Sequence, residues 1–309
     1  MSTPAVGNTM LSMGVDIGST KAHAVVLDAE NNIIAESAMF SRRYPEGVLS
    51  CFMDLANSVA DKVGVSLRAF DAVGIGIPGL VNRETGEIAS AVNLRIEHMP
   101  LGEMVADHFS IPVRIDNDVK VTVVAAGMVL DSLSVTYLNF GTGLAAATLA
   151  GRLIRGGSNL AGEIGHVVLE PGGHLCRCGQ RGCLETIVGG AYLAPRMEQL
   201  ELDWTKLDLE ERDFGIAVRE EMVDVIARIA ILMAAVYGSD HIMLGGGVIQ
   251  AAPWILSAVR QYILDRGQVI TFPPLTRIAH QITYYESDGQ LAATGAALIG
   301  QGWTEGYKL

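Results

Sequence analysis

The sequence predicts an α/β protein of two domains, and three observations support this prediction. The chain has 309 residues, which is enough for two domains of ordinary size, each with its own core. Short apolar runs typical of buried strands alternate with longer segments of helical periodicity. A strand, a hairpin turn rich in glycine and threonine, and a second strand occur near the start and again near the middle, which indicates a repeated motif.

The composition and charge of the chain indicate which classes of protein it can belong to. Half of the residues are apolar, 18% are charged and 35 are glycine, as in a compact α/β protein rather than a disordered chain. The formal net charge of −12 argues against a nucleic-acid partner. Residues 1–13 lack the features of a signal peptide, and the longest apolar run, 229–236, is far shorter than the ~20 residues of a membrane span. We therefore expect a cytoplasmic protein with no membrane partner.

The first strands flank a polar hairpin. Apolar runs within residues 13–36 predict a three-stranded meander. Gly18 permits a tight turn, and Ser19 and Thr20 with their backbone N–H groups can bind phosphate oxygens. Asp16 ends the first strand, where it can hold a magnesium ion or its water. The alternative is an ordinary hairpin with polar turn residues.

A junction between a strand and a helix places three polar residues together. We predict helices over 44–64, 99–109 and 119–130 and strands over 72–77 and 113–115. The last of these strands leads directly into Asp116, Asn117 and Asp118 at the start of a helix. Asn or Asp at such a junction is first of all a helix N-cap.

The opening motif then recurs. Residues 134–139 and 144–150 are predicted strands around the turn Gly141-Thr142-Gly143, and a third short run follows at 153–154. Two such hairpins facing each other can bind one polyphosphate from both sides, so the repeat favours a nucleotide phosphate site over either copy alone.

The last part of the chain continues the α/β alternation. We predict helices over 191–200, 218–237, 251–266 and 289–300 and strands over 241–244 and 281–285. Gly245, Gly246 and Gly247 follow the first of these strands, so the backbone can approach a flat ligand such as an adenine ring. A helix start with little side-chain bulk is the alternative.

A dense cluster of metal-ligating residues stands between the second hairpin and the last helices. Cys176, Cys178 and Cys183 fall within eight positions, a short loop after His166. Three thiolates and one imidazole form a tetrahedral set that closes a structural Zn²⁺ site. The alternatives are three small buried thiols or a disulfide pair. The density of the cluster argues against simple buried thiols, and the odd number of cysteines in it argues against a disulfide framework.

Together these motifs resemble the ROK family of sugar kinases and repressors over nearly the whole chain. The matching motifs are Asp16-Ile-Gly-Ser-Thr-Lys21, Gly76-Ile-Pro-Gly79, Asn93-Leu94, Asn117-Asp118, Gly141-Thr-Gly143, Gly162-Glu-Ile-Gly-His166, Cys-x-Cys-Gly-x-x-Gly-Cys-x-Glu185 and Leu244-Gly-Gly-Gly247. The resemblance implies a duplicated actin-like ATPase (ribonuclease-H-like) fold, with two domains around a cleft. We expect a domain over 1–116, completed by the helix 289–303, and a larger domain over 117–288 with the zinc loop.

The resemblance also implies an activity and its residues. It implies ATP- and Mg²⁺-dependent phosphorylation of a hexose hydroxyl by a homodimer, glucose or a close relative being the expected substrate. Asp118 is then the general base. The implied sugar ligands are Gly79, Asn93, Asn117, Asp118, Glu163, His166 and Glu185. The implied ATP and phosphate ligands are Asp16, Gly18, Ser19, Thr20, Lys21, Gly141, Thr142, Gly143 and the glycines 245–247.

Some residues depart from the family pattern and leave alternatives open. Lys120 stands where many members have Asn, Ala145 replaces a frequent Gly, and Asn139 and Phe140 precede the second turn in place of small apolar residues. A kinase for N-acetylmannosamine, N-acetylglucosamine or allose is the alternative within the class. A non-catalytic sugar sensor or a repressor is the alternative outside it; a repressor would need a DNA-reading domain ahead of the first strand, where only twelve residues precede Met13.

Overall fold

A computed structural model describes residues 10–157, 160–269, 274–286 and 289–303 of the chain. Its strands are β1 (Ser12–Ile17), β2 (Lys21–Leu27), β3 (Ile33–Phe40), β4 (Ala72–Ile77), β5 (Leu80–Asn82), β6 (Glu87–Ser90), β7 (Val113–Asn117), β8 (Ser134–Phe140), β9 (Leu144–Ala150), β10 (His241–Gly245) and β11 (Ile282–Tyr284). Its α-helices are α1 (Tyr44–Val63), α2 (Leu101–Ala106), α3 (Asp118–Val129), α4 (Glu185–Val188), α5 (Gly190–Gln199), α6 (Asp213–Tyr237), α7 (Gly247–Ala251), α8 (Trp254–Val269), α9 (Pro274–Gln281) and α10 (Gln290–Gln301). Short 3₁₀ helices include Val92–Leu94 and Ile164–His166.

The elements form two compact units. The first contains the described residues of 1–131, 151–159 and 287–309, and the second those of 132–150 and 160–286. The first unit extends past residue 116, because helix α3 packs against α10, β4 and β7. The C-terminal helix α10 belongs to the first unit as well.

The first unit is built on a five-stranded sheet with the order β3-β2-β1-β4-β7. Strands β1, β4 and β7 are parallel, and β2 and β3 continue from β1 as the predicted antiparallel meander. Because parallel strands end at the same edge of a sheet, the end of β1 and the end of β7 lie at one edge. Asp16 pairs with Gly76 of β4, which pairs with Asp116, so these residues form one row across the sheet.

Helix α10 lies close to this sheet because glycines face it. A Cβ atom on Gly14 of β1 would lie 2.0 Å from the carbonyl oxygen of Ala293, and one on Gly74 of β4 would lie 1.9 Å from that of Ala296. Only glycine leaves room for the helix backbone at these two positions. Helix α1 packs against β1, β2 and β3 and shares a continuous apolar core with their other side chains.

The second unit has a four-stranded sheet with the order β11-β10-β8-β9. Strands β8, β10 and β11 are parallel, and β9 is antiparallel to β8. The side chains of α6 and α8 form an apolar core with the sheet. The predicted third strand at 153–154 was wrong, because the described residues 151–157 belong to the first unit and do not extend this sheet.

Other differences from the predicted elements have local causes. The helix predicted over 251–266 begins later, at Trp254, as α8. It is separated from the short helix α7 by Pro253, which has no N–H to continue a helical ladder. The helix predicted over 99–109 is confined to Leu101–Ala106. The β5–β6 hairpin and the helix α4 were not predicted, because each is too short to show a period. Helix α9 was not predicted either.

None of the helices in the described part of the chain is long and apolar enough to cross a membrane.

Candidate active site and metal centre

The predicted site residues divide between the two units. The first unit holds Asp16, Gly18, Ser19, Thr20, Lys21, Gly79, Asn93, Asn117 and Asp118. The second holds Gly141, Thr142, Gly143, Glu163, His166, Cys176, Cys178, Cys183, Glu185 and the glycines 245–247. Within each unit the structure brings several of these predicted site residues together.

The junction between β7 and α3 holds Asn117 and Asp118 in a defined geometry. Asn117 is the N-cap of α3, and its Oδ1 accepts hydrogen bonds from the backbone N–H groups of Val119 (3.0 Å) and Lys120 (3.3 Å). Its Nδ2 donates to the carbonyl oxygen of Gly79 at 3.2 Å. The N-cap interpretation is thus confirmed for Asn117, and the cap also ties the helix start to the Gly79 turn. Asp118, half-buried, is the first residue of α3.

Gly79 occupies a position that only glycine fits. Its φ of 104° lies in the left-handed region, and a Cβ atom there would lie 2.0 Å from the carbonyl oxygen of Ser90. Asn93 is exposed in the 3₁₀ helix Val92–Leu94 that follows β6. The two residues therefore belong to one group of turns around the β5–β6 hairpin.

Asp16 is a buried carboxylate with an open oxygen. Its residue surface is 9% exposed, and Oδ1 has no hydrogen-bond partner among the described residues. Burial, and after it the negative charge of Asp118, raises the pKa of Asp16 well above its usual value. An unpartnered carboxylate oxygen close to a second carboxylate is a setting that a divalent cation stabilises, so Asp16 fits a Mg²⁺ ligand.

Asp16 therefore makes a testable contribution to stability. The folded state holds its proton more tightly than the unfolded chain does, so the contribution is fully present below the unfolded pKa of about 3.9 and is lost as pH rises through the raised pKa. We expect Asp16→Asn to raise the free energy of unfolding at neutral pH by about 1–3 kcal/mol, with a gain that shrinks toward pH ~4. Urea denaturation over this pH range, with no divalent cation, measures it.

Asp28 provides a control with the opposite sign. Hydrogen bonds from Asn32 lower the pKa of Asp28, so its contribution is present at neutral pH and is lost as pH falls. Asp28→Asn should therefore not stabilise the protein at neutral pH. An Asp16→Asn gain that does not vary with pH would contradict the assignment of the effect to ionisation of Asp16.

The hairpin between β1 and β2 exposes the predicted phosphate ligands. The N–H of Gly18 donates to the carbonyl oxygen of Lys21 at 3.0 Å and closes the turn. Thr20 and Lys21 are exposed, and Gly18 and Ser19 are half-buried. The corresponding turn between β8 and β9 is closed by a bond from the N–H of Gly141 to the carbonyl oxygen of Gly143, at 3.1 Å.

The glycine triplet has a packing role. A Cβ atom on Gly245 would lie 2.5 Å from the hydroxyl oxygen of Tyr137, and one on Gly246 would lie 2.5 Å from the carbonyl oxygen of Phe140. Both glycines thus let the start of α7 lie against β8. Gly247 is the first residue of α7 and has nothing within 4 Å of an added Cβ. The triplet therefore leads into α7, and the approach of a flat ligand to its backbone stays a prediction.

The predicted zinc ligands converge. The ligand atoms of His166, Cys176, Cys178 and Cys183 all lie within 4.8 Å of one another. The Sγ atoms of Cys178 and Cys183 are 3.6 Å apart, and Cys176 Sγ is 3.6 Å from His166 Nδ1. Sulfurs on one tetrahedral zinc are separated by about 3.8 Å, given Zn–S bonds of ~2.3 Å, whereas a disulfide bond measures about 2.05 Å. The cluster fits Zn²⁺, and all four cysteines are free thiols.

The three clustered thiols differ in acidity. Hydrogen bonds from Gln180 lower the pKa of Cys178 to about 6, and burial raises the pKa of Cys176 to about 12. Burial also raises the pKa of Cys183. A metal ion binds thiolates, so loading with Zn²⁺ must release protons from the buried pair.

Glu185 connects the metal cluster to the second hairpin. Cys176 Sγ donates to Glu185 Oε1 at 3.1 Å, and the same oxygen is 3.7 Å from His166 Nδ1. A Cβ atom on Gly143 would lie 2.7 Å from Glu185 Oε2. Glycine at position 143 therefore makes room for this carboxylate.

Three contact residues were not predicted from the sequence. Arg155 forms an ion pair with Asp116. Gln180 donates to Cys178 Sγ at 3.4 Å and to the His166 carbonyl oxygen at 3.2 Å. Tyr192 accepts the backbone N–H of Arg177 in the metal loop at 2.9 Å. Only Gln180 had a signal in the sequence, which was its position between the cysteines.

The fold and the loops define a two-unit α/β protein that has one glycine hairpin in each unit and a Cys₃His cluster in the second unit. The sequence model of the ROK family matches residues 12–301. The chain belongs to the ROK family, which confirms the resemblance drawn from the motifs.

Relatives within the family carry different names. The chain is 26% identical to a glucokinase of Halalkalibacterium halodurans, covering 94% of this chain and 93% of that protein. It is 29% identical to a xylose repressor of Caldicellulosiruptor bescii, covering 74% of this chain and 56% of that one.

Solved structures show the same fold. A ROK hexokinase from Thermus thermophilus superimposes with a TM-score of 0.77 at 25% identity, covering 95% of this chain and 99% of that one. A ROK glucokinase from Streptomyces griseus, in complex with glucose and AMPPNP, also has a TM-score of 0.77, at 24% identity with 94% and 99% covered.

Proposed function

We propose that this protein transfers the γ-phosphoryl group of ATP to a hydroxyl of a hexose, glucose or a close relative, at the 6-position. The observation that carries the proposal is the β7–α3 junction, where Asn117 is fixed by the Gly79 carbonyl and Asp118 follows it at the helix start. A carboxylate held in this way can accept the proton of an attacking hydroxyl. The glucokinase relative and the hexokinase structure support the same class of reaction.

The remaining site residues receive proposed roles. Phosphoryl transfer depends mainly on positioning and on stabilisation of charge, so the protein must hold the hydroxyl, the phosphates and a cation. Mg²⁺ would be held with the help of Asp16 and would neutralise phosphate charge. The proposed sugar ligands are Gly79, Asn93, Asn117, Glu163, His166 and Glu185. The proposed ATP and phosphate ligands are Gly18, Ser19, Thr20, Lys21, Gly141, Thr142, Gly143 and the glycines 245–247.

Zinc would have a structural role. Its four ligands are all protein side chains, which leaves no open position for a substrate. Glu163 precedes the 3₁₀ helix that carries His166, and Glu185 contacts Cys176. The metal would therefore hold the proposed sugar ligands of the second unit rigid.

A coupled assay of ADP formation tests the function. Purified protein with ATP and Mg²⁺ is assayed with glucose, mannose, allose, fructose, N-acetylglucosamine and N-acetylmannosamine. We expect turnover with one sugar at a kcat/KM well above the others, because a site that hydrogen-bonds hydroxyls rejects an analogue that leaves its groups unpaired. A higher kcat/KM for an N-acetylhexosamine or allose would assign the alternative substrate. Absence of turnover with all six would contradict the proposal.

The xylose repressor relative makes a sugar sensor the second candidate. A sensor would bind a sugar in calorimetry without forming ADP.

The free clustered thiols support the expected cytoplasmic setting, since reducing compartments preserve them. Light scattering on the purified protein would test the homodimer.

The contact between Gly143 and Glu185 yields a prediction for the kinase. Gly143→Ala would displace the end of a flexible side chain rather than the backbone, so we expect the free energy of unfolding to change by less than about 1 kcal/mol. A displaced Glu185 carboxylate would lower kcat/KM for the sugar roughly tenfold. Steady-state kinetics and urea denaturation of the same variant measure the two quantities.

Gly157→Ala is the matched control, because an added Cβ there has nothing within 4 Å. It should match the wild type in both measurements. Wild-type kcat/KM in Gly143→Ala would show that Glu185 does not need its present position and would remove it from the proposed sugar ligands.

A further inference from the structure

We propose that Arg155 and Asp116 act as a positioning pair that holds Asn117 and Asp118 in their working geometry; this inference rests on the proposed function. Arg155 lies outside every motif considered above. Its segment, 151–157, follows β9 in sequence but makes its contacts in the first unit.

The pair is buried and uses both oxygens of the carboxylate. The side chain of Asp116 is 1% exposed and that of Arg155 is 13% exposed. Arg155 donates to Asp116 Oδ2 from Nε at 3.0 Å and from Nη2 at 2.6 Å. Asp116 Oδ1 accepts the backbone N–H of Asn117 at 2.9 Å. A carboxylate held at both oxygens has little freedom to rotate.

Two connected contacts lead from Arg155 to the proposed base. The first is the ion pair, and the second is the bond from the Asn117 N–H to Asp116. Asn117 in turn caps α3, whose first residue is Asp118. Rotation of Asp116 would therefore shift the N-cap and the carboxylate that follows it.

The negative charge at this edge of the sheet favours the positively charged guanidinium of Arg155. Asp16 and Asp116 flank Gly76 in one row across β1, β4 and β7, and Asp118 lies close enough to raise the pKa of Asp16. Arg155 adds a positive charge to this group of acids. Without it, Asp116 would be a buried carboxylate lacking its ion-pair partner, which strongly destabilises a fold.

The experiment separates positioning from stability. Arg155→Met removes the charge, Arg155→Lys keeps it, and the double variant Arg155→Met with Asp116→Asn removes both charges while the amide oxygen still accepts the Asn117 N–H. Each variant is measured for kcat, KM for sugar and ATP, melting temperature, and hydrogen exchange of the amides of Val119 and Lys120, which the Asn117 cap protects. Arg42→Met is the control, since Arg42 forms an exposed ion pair with Asp54 in the same unit.

Positioning predicts a specific pattern. The double variant should recover most of the melting temperature lost by Arg155→Met, because no unpaired charge remains, but its kcat should stay about 10- to 100-fold below wild type. Its Val119 and Lys120 amides should exchange faster than in wild type, and Arg155→Lys should restore part of kcat. Arg42→Met should leave kcat unchanged. Wild-type kcat in the double variant would overturn the inference and leave the pair a purely structural role.

A failure of the proposed function is distinguishable. If the wild type turns over none of the six sugars, the hydrogen-exchange measurement still tests whether Arg155 and Asp116 position the start of α3. Faster exchange at Val119 and Lys120 in the double variant, at wild-type melting temperature, would support the positioning of the helix start. Unchanged exchange would overturn it.

Discussion

Replacing Asp118 by asparagine should remove turnover while leaving the fold and the zinc site intact. Asparagine has the shape of aspartate but cannot accept the proton of the attacking hydroxyl. A positioned general base contributes about 10²- to 10⁴-fold to the rate, so kcat should fall by that factor. The variant should still fold, because the cap of α3 is made by Asn117. The assay is ADP formation with the preferred sugar, accompanied by calorimetry of sugar binding.

An exposed acid of the same unit provides the control for Asp118. Asp107 ends helix α2 and is exposed, so Asp107→Asn should keep wild-type kcat. Asp118→Asn should also relieve the negative charge that raises the pKa of Asp16, so its melting temperature should not fall below that of the wild type. Near-wild-type kcat in Asp118→Asn would exclude Asp118 as the base.

Removing zinc should damage sugar recognition before it affects ATP. We expect one zinc per chain in freshly purified protein, because four ligand atoms converge on one point. A chelator, or Cys183→Ser at a fully buried ligand, should disorder the 163–185 region and raise KM for the sugar about 10- to 100-fold. KM for ATP should change less. Metal analysis, hydrogen exchange of that region and steady-state kinetics measure these effects.

Cys51 serves as the control cysteine for the zinc experiment. It is buried in the core of the first unit, apart from the metal cluster, so Cys51→Ala should keep its zinc even if its stability falls. Protein that contains no zinc yet folds normally and keeps the wild-type KM for sugar would refute the structural role of the metal.

Local patterns predicted most of the fold. The runs that became β1, β2, β4, β8 and β9 are short, buried and bounded by glycine or polar turns, so neighbouring residues determine them. Helix α1 could be predicted from its apolar spacing, and it ends at Gly64 in the left-handed conformation that glycine favours. The prediction of a third strand at 153–154 was wrong, because this segment belongs to the first unit although its local pattern resembles that of a strand after β9.

The metal cluster and the helix junction were also predictable because each is almost continuous in sequence. Cys176, Cys178 and Cys183 need only a short loop to converge, and Asn117 caps the helix that begins one residue later. Sequence by itself thus determined the family, the two hairpins and the four side chains that converge in the Cys₃His cluster.

Tertiary structure alone decided how these parts are supported. Arg155 meets Asp116 from 39 residues away, and Glu185 lies between the metal cluster and Gly143. The open oxygen of Asp16 also depends on the sheet around it, which buries the carboxylate while no described residue donates a hydrogen bond to Oδ1. Such contacts join residues whose separation along the chain has no period, and their strength depends on burial, which exists only after the strands and helices have packed.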